Sequence, residues 1–416
     1  MKILLVGSGG REHAILIKLL ESDHVDDVIC APGNGGMAHL AECFNVAATD
    51  IDGMMALAKD EACDMVFVAP DDPLALGMVD AMEAAGIKAF GPNKAAAQIE
   101  ASKVFSKDLM KKYDIPTAKY EVFDNAADAK AYIKEHGAPQ VIKADGLALG
   151  KGVYVAMTDE DALAAVDEIM VDKKFGAAGA KVVIEEYLEG PEVSLLCFTD
   201  SKTIVPMVSS QDHKRAYNND EGPNTGGMGA FAPSPKYTDD VAKKVYDTIV
   251  VPTMEAMNSE GCPFKGVLYF GLMLTKDGPK VIEYNSRFGD PEAQVVLPLM
   301  ESDLYEIMEG IIRERLSEVE VKFKDQHAAV IVMASGGYPV KYQKGYEITG
   351  LDKVSDAFVY HAGTKLEDGK YLTNGGRVLG VTALGDTLQD ALNTAYDNVG
   401  KIAFKDAHFR TDIGRK

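Results

Sequence analysis

Lys143-Ala144-Asp145-Gly146-Leu147-Ala148-Leu149-Gly150-Lys151-Gly152-Val153 is the stretch on which the fold turns. It looks at first like a phosphate-binding Walker loop. Gly146 and Gly150 stand one residue too close for that, and Gly152 replaces the Ser or Thr that would hold magnesium. The flanks point elsewhere. Gln140 to Lys143 and Val153 to Ala156 both read as strands, so the loop joins two strands rather than a strand and a helix. A glycine-rich β-hairpin with a lysine at either end suits folding over ATP phosphates as a lid. An ordinary flexible hairpin is the simpler alternative.

Outward from the hairpin, residues 1 to about 100 alternate strand and helix. Ile3 to Val6, Val28 to Ala31, Met65 to Val68 and Ile87 to Phe90 are short apolar strands, with helices to about Leu20 and over Pro73 to Ala85. This βαβ rhythm implies a parallel sheet with helices on its faces. A helix from about Lys94 to Tyr113 leads to the hairpin unit, whose remaining core strand is Val182 to Glu186. A larger α+β unit follows, with strands Val193 to Phe198, Val267 to Leu274 and Lys280 to Tyr284 and a long helix from Asp239 to Asn258. The rest, from about Gln326, reads as a compact C-terminal domain. No internal repeat or low-complexity linker interrupts the chain.

Two other glycine loops stand out. Gly7-Ser8-Gly9-Gly10-Arg11-Glu12 follows a strand and opens a helix, a place where backbone amides attract phosphate. A dinucleotide fingerprint would want glycine at Glu12 and an acid where Ala31-Pro32-Gly33 stands, so NAD is disfavoured. An anion site and a purely structural tight turn both remain open. Pro223-Asn224-Thr225-Gly226-Gly227-Met228-Gly229 and the preceding Ser210-Gln211-Asp212-His213-Lys214-Arg215 show neither helical nor strand periodicity. Long polar loops inside a large domain are often functional, the alternative being a solvated connection.

Val281-Ile282-Glu283-Tyr284-Asn285-Ser286-Arg287-Phe288-Gly289-Asp290 is the most chemical stretch. Strand alternation puts Glu283 and Asn285 on one face. Two oxygen donors side by side suit Mg²⁺, which binds through one or two protein groups plus nucleotide phosphates. Arg287 shares that face if the strand continues, and can meet a phosphoryl or carboxylate group.

Composition narrows the class. The 416 residues suggest two to four domains. At 47% hydrophobic and 26% charged, the chain has the mixture of a soluble globular protein. Apolar runs are only strand-length, and the N-terminus starts a strand at once without a targeting pattern, so no membrane association and a cytoplasmic location are expected. The formal charge of −21 disfavours nucleic acid as a partner. Five widely spaced cysteines without C-x-x-C read as buried free thiols, and the eight histidines lack zinc-site spacing.

Lys103, Lys143, the 146–152 loop, Glu185-Glu186-Tyr187-Leu188, Glu192 and Glu283-Tyr284-Asn285 occur in the order that resembles the ATP-grasp fold. The likeness extends further, to the glycinamide ribonucleotide synthetase family within that superfamily. Its carriers are Gly7-Ser8-Gly9-Gly10-Arg11-Glu12-His13, Ile142-Lys143-Ala144-Asp145-Gly146-Leu147-Ala148, Ser210 to Arg215, Gly222 to Gly229 and Arg287-Phe288-Gly289-Asp290-Pro291-Glu292. His361-Ala362-Gly363-Thr364-Lys365 and Asn374-Gly375-Gly376-Arg377 also fit, so essentially the whole chain is covered.

The resemblance implies a multidomain α/β and α+β protein. Residues 1–117 would form a Rossmann-like substrate domain with its linking helix, 118–187 a small ATP-grasp lobe or lid, 188–325 the large lobe and 326–416 a small C-terminal α+β domain. It implies ligation of glycine to 5-phosphoribosylamine in purine biosynthesis, driven by ATP with Mg²⁺ or Mn²⁺ through an acyl-phosphate. Lys103 and Lys143 would hold ATP phosphates, with Gly146, Gly150, Lys151 and Gly152 in the lid. Glu185, Glu186 and Leu188 would belong to the adenine site, Glu192 would hold the ribose, and Glu283 and Asn285 the metal. Asp212, Arg287 and Asp290 would form the catalytic set where the two substrates meet, with Gly9, Gly10, Lys214, Asn224, Gly226 and Gly227 completing the substrate site. A monomer is the expectation for assembly.

Two departures from the pattern matter. Many ATP-grasp enzymes carry a metal-binding Glu on the strand before Glu283, where this chain has Tyr269-Phe270-Gly271-Leu272. The family also reads Gly-Pro-Glu where this chain has Ala69-Pro70-Asp71, a shorter acidic arm. Alternatives from other classes are a different ATP-grasp ligase or carboxylase, an NAD-dependent dehydrogenase, and a non-catalytic nucleotide sensor.

Overall fold

The computed structural model describes residues 1–148 and 152–415. Gly150 and Lys151 of the expected lid lie outside the described residues.

Strands Lys2–Gly7, Asp27–Pro32, Glu42–Cys43, Met65–Val68 and Lys88–Phe90 form one parallel sheet. Lys2–Gly7 lies in its middle, with Ile3 paired to Val28 on one side and to Met65 on the other. Both faces are covered, which is why these strands are apolar runs rather than alternating ones. The order of connection reverses beside Lys2–Gly7, and ligands bind such sheets in the crevice at that carboxyl end. Gly7, at φ +122, turns the chain there into helix Gly10–Leu20. The helix expected over Pro73 to Ala85 is two helices, Asp71–Leu76 and Met78–Ala84, separated by left-handed Gly77. Asp71 therefore begins a helix at the same crevice.

The linking helix is also broken, into Lys94–Ala101 and Lys103–Lys112. Ser102 is extended and its hydroxyl accepts the Phe105 N–H, an N-cap that starts the second helix at Lys103. The Lys103 N–H then donates to the Asp145 carbonyl at 3.0 Å, so the break docks the helix on the glycine hairpin.

The hairpin belongs to an antiparallel sheet in the order Tyr120–Phe123, Val182–Glu186, Gln140–Ala144, Val153–Ala156. Its inner face packs Ile142, Val182 and Ile184 against helices Ala126–His136 and Asp159–Val166. A second antiparallel sheet holds Ile204–Pro206, Glu192–Thr199, Gly266–Thr275 and Gly278–Asn285 in that order. The helical run over residues 239–259, widened to a π turn at Tyr246–Val250, covers it through Val245, Ile249 and Met257.

The last sheet draws on two parts of the chain. His327–Ala334, Arg377–Gly385 and Phe358–His361 are joined by Gly229–Ala232 and by Gln211–Asp212, of which Gln211, Asp212 and Gly229 fall in stretches that the sequence reads as loop. Helix Ala293–Leu299 lies between this sheet and helix Gly10–Leu20, so Ile15, Leu19, Val296, Leu299, Ala328 and Val330 share one core. Each large apolar side chain buried there contributes about 1.5–3 kcal/mol. That shared core, rather than any linker, fixes how the first and last parts of the chain face each other.

Candidate active site

A cleft of about 1100 Å³ runs between the four parts, with Lys103, Lys143 and Leu188 at one end and Asp212, Arg287 and Asp290 at the other. At the first end, Lys143 sits in strand Gln140–Ala144 and donates to the Ile282 carbonyl at 2.8 Å. Its Nζ is 2.9 Å from Oε1 of Glu185, whose Oε2 is 2.9 Å from Nζ of Lys107. Lys107 also donates to the Thr117 hydroxyl at 2.8 Å. Burial pushes the Glu185 carboxyl up, but the two ammonium groups hold it below its ordinary range. Burial likewise pulls Lys107 down to about 8, with Glu185 opposing.

Lys103 reaches across to the Gly146 carbonyl at 3.0 Å. Burial, then repulsion from Lys143, lowers its pKa. A Cβ on Gly146 would lie 2.7 Å from the Ala178 Cβ, and one on Gly152 would lie 2.7 Å from the Ala148 Cβ. Both glycines are thus places of close approach that no side chain could share. Glu186 turns to the Lys119 N–H at 3.0 Å and to Lys280 at 3.2 Å. Its partner in sequence, Glu185, is the one locked inside.

Glu283 and Asn285 alternate along strand Gly278–Asn285 and line the cleft midway. Lys214 Nζ lies 3.0 Å from Glu283 Oε1 and 3.5 Å from Glu192 Oε2. The Lys214 charge outweighs burial and holds Glu283 at about 2, so it stays ionised. Gly271 pairs directly with Glu283 across the ladder, and a Cβ there would stand 2.8 Å from Glu283 Cγ. A side chain at Gly271 would press on Glu283, which would have to shift to admit it. A carboxylate and an amide oxygen on one strand face fit a hard divalent cation.

At the far end, the strand stops at Asn285, so Arg287 does not continue its face. Arg287 Nη2 is instead 2.8 Å from Glu100 Oε1 and 3.9 Å from Asp71 Oδ2. The shorter arm of Asp71 still reaches ion-pair distance. Glu100 also accepts the Ser286 N–H at 2.7 Å and its hydroxyl at 2.9 Å. Burial raises Glu100, while Arg287 opposes the rise.

Arg377, from the last sheet, binds Asp290 Oδ2 at 3.0 Å, the Asp290 carbonyl at 2.7 Å and the Gly226 carbonyl at 2.6 Å. The Tyr338 hydroxyl accepts the Gly226 N–H at 3.1 Å. Gly227, at φ +113, lies against Asp212, since a Cβ would be 2.7 Å from Oδ1. Burial, and then the neighbouring Glu292, raise Asp212 well above the carboxylate range. Glu292 accepts from Ser194 and Tyr269, both at 3.1 Å. Asn224 lines the same wall. Across the cleft, Gly9 faces Asp290, with an ideal Cβ 3.3 Å from Oδ2. The Gly9 N–H is already taken by Glu12 at 2.5 Å, and Arg11 holds Glu12 at 2.6 Å, so this loop's first amide is satisfied internally.

Of the described residues that the sequence assigns to the site, Gly9, Gly10, Gly146 and Gly227 do not line the cleft and the others do, including Glu186, whose carboxylate is engaged by Lys119 and Lys280. Sequence reasoning missed Lys107, Glu100 and Tyr338, and gave Glu292 and Arg377 no role. The signal for Lys107 and Glu100 is a charge on the inward face of an amphipathic helix, which must be paired to be tolerated.

A glycine hairpin and a lysine on one antiparallel lobe, with a second lysine at the start of the adjoining helix, facing a carboxylate–amide strand on another lobe, define an ATP-grasp enzyme. The chain matches the family models of phosphoribosylglycinamide synthetase: N domain over residues 1–100, ATP-grasp (A) domain over 101–293 and C domain over 328–416. It therefore belongs to the phosphoribosylglycinamide synthetase family. It is 49% identical to phosphoribosylamine–glycine ligase of Halalkalibacterium halodurans, over 100% of this chain and 97% of that protein. It is 51% identical to the trifunctional purine biosynthetic protein adenosine-3 of Gallus gallus, over 99% of this chain and 42% of that one. The crystal structure of phosphoribosylamine–glycine ligase from Thermotoga maritima superposes with a TM-score of 0.86 at 31% identity, covering 99% of this chain and 100% of that one. The biotin carboxylase domain of a Hydrogenobacter thermophilus carboxylase, at TM-score 0.75 and 15% identity over 98% of this chain and 91% of that one, shares the fold.

Proposed function

We propose that the chain joins glycine to 5-phosphoribosylamine, giving glycinamide ribonucleotide, ADP and phosphate. The observation that carries this is one cleft with a phosphate-binding wall at one end and paired acids and an arginine at the other, with Glu283 between them. A carboxylate is a poor electrophile, so it must first gain a leaving group. The glycine carboxylate attacks the γ-phosphate of ATP and ADP departs. The amine then attacks the glycyl phosphate carbonyl, the carbon–oxygen bond to phosphate breaks, and the amine sheds a proton.

Lys103 and Lys143 hold the phosphates, and Leu188 and the backbone at Glu185 meet adenine. Glu192 takes the ribose hydroxyls. Mg²⁺ or Mn²⁺ on Glu283 and Asn285 would supply charge neutralisation at the phosphates. Arg287 presents a buried Nε without a partner among the described residues, suited to the glycine or phosphoryl anion. Asp212, a carboxyl group lining the cleft beside Gly227, is suited to accept the proton that the amine sheds. Gly9, Gly10, Lys214, Asn224, Gly226, Gly227 and Asp290 shape the pocket for phosphoribosylamine, while the glycine hairpin over Gly146 to Gly152 closes over ATP and keeps water from the intermediate. The protein works as a cytoplasmic monomer. No helix among the described residues is long and apolar enough to cross a membrane.

ADP release, measured with glycine and phosphoribosylamine each omitted in turn, tests the reading. Turnover should require both. Turnover with bicarbonate in place of glycine would point to a carboxylase instead.

A further inference from the structure

Helix Ala293–Leu299 carries Gln294, a polar side chain only 2% exposed. Its Nε2 donates to Asp290 Oδ1 at 2.7 Å. Its Oε1 is buried with no hydrogen-bond partner among the described residues. Glycines grip the amide on both sides. A Cβ on Gly10, at the start of the first helix, would collide with Nε2, and a Cβ on Gly380, in strand Arg377–Gly385, would collide with Oε1.

A buried acceptor left unpaired opposes folding, and an apolar side chain of similar length would fill the same space without that cost. The amide must therefore do something else. Its single hydrogen bond goes to the carboxylate that Arg377 holds from the other side at 3.0 Å. Turning the amide over would set its oxygen against the Asp290 oxygen. Both carboxylate oxygens of Asp290 are thus fixed, by donors from two separate elements, while Asp290 faces Gly9.

We propose that Gln294 is a positioning residue that aims Asp290 at the amine and hydroxyl groups of phosphoribosylamine. This rests on the functional reading above. The partner is chosen by chemistry: a fixed anion in a cleft calls for N–H and O–H donors, which the amino sugar supplies in number.

Gln294→Met keeps the length and removes the donor; Gln294→Glu sets a second carboxylate against Asp290. Calorimetric binding of glycinamide ribonucleotide, binding of ATP and the melting temperature are compared with wild type. Gln294→Met should melt no lower than wild type and bind ATP equally, yet bind the ribonucleotide about tenfold more weakly. Gln294→Glu should bind it more weakly still. Unchanged ribonucleotide affinity in Gln294→Met overturns the proposal alone. So does a parallel loss of melting temperature and ATP affinity, the mark of a merely structural residue. Wild-type protein that ignores the ribonucleotide overturns the functional reading, and this proposal with it.

Discussion

Lys103, Lys107, Lys143 and Glu185, at the nucleotide end of the cleft, come from one stretch of chain and from two adjoining elements, a helix and a sheet. Gly226, Asp290 and Arg377, at the acceptor end, are held together by bonds between the middle and last parts of the chain, with Asp212 against Gly227 and Gly9 opposite. The nucleotide end is a set of buried charges that neutralise one another locally. The acceptor end depends on how the first, middle and last parts of the chain pack. On the proposed function, ATP is handled mostly by residues of one stretch of chain, and the part that would select the second substrate is assembled between distant stretches.

The strongest way to break this contrast is at Glu185. Glu185→Ala leaves Lys107 and Lys143 as buried ammonium groups without their shared partner, which should cost about 3–5 kcal/mol in denaturant unfolding. A loss no larger than that of a surface mutation would mean that the triad is not the frame of the nucleotide end.

Acid should strike the packing of the first part of the chain against the last. His13, in the first helix, and His361, in the last sheet, are joined through the His361 N–H and His13 Nδ1 at 2.8 Å. Burial lowers His13 from 6.5 to about 3, helped by repulsion from His361, and lowers His361 from 6.5 to about 4, helped by His39. The unfolded chain binds these protons more readily, so their contribution is fully present above pH 6.5 and is lost as the pH falls toward 4. For His361 alone this approaches about 3 kcal/mol. Stability followed from neutral pH downward in wild type and His361→Gln should diverge over that window; parallel curves would remove the histidines from the account.

Lys143→Met should weaken ATP binding by about tenfold to a hundredfold, the value of a charge-assisted hydrogen bond, and leave glycinamide ribonucleotide binding intact. Equal losses at both ends would show that they are not independent. The smallest effect belongs to Lys280→Ala. Its pair with Glu186 is partly exposed, so unfolding should shift by less than about 1 kcal/mol. Against Glu185→Ala, this measures what one residue along the same strand is worth when it points inward.

The same contrast governs what the sequence discloses. Lys143, the glycine hairpin, and Glu283 with Asn285 are legible because spacing along one hairpin or one strand sets their geometry. The core strands Val153–Ala156 and Val182–Glu186 are read to the residue for the same reason. Gly229–Ala232 is not, because most of its strand pairing is with His327–Ala334, far along the chain. Ser102 breaks a helix whose apolar periodicity runs on, and only its capping chemistry marks the break. Gln294 and Arg377 gain their meaning from glycines in distant elements, which no local pattern records.

The central claim is that glycine is activated as an acyl-phosphate in this cleft. Glycine carrying heavy oxygen in its carboxylate tests it most directly, through mass spectrometry of the products. One labelled oxygen should appear in inorganic phosphate and the other in the amide carbonyl, with ADP as the nucleotide product. Unlabelled phosphate, with AMP as the nucleotide product, would contradict it.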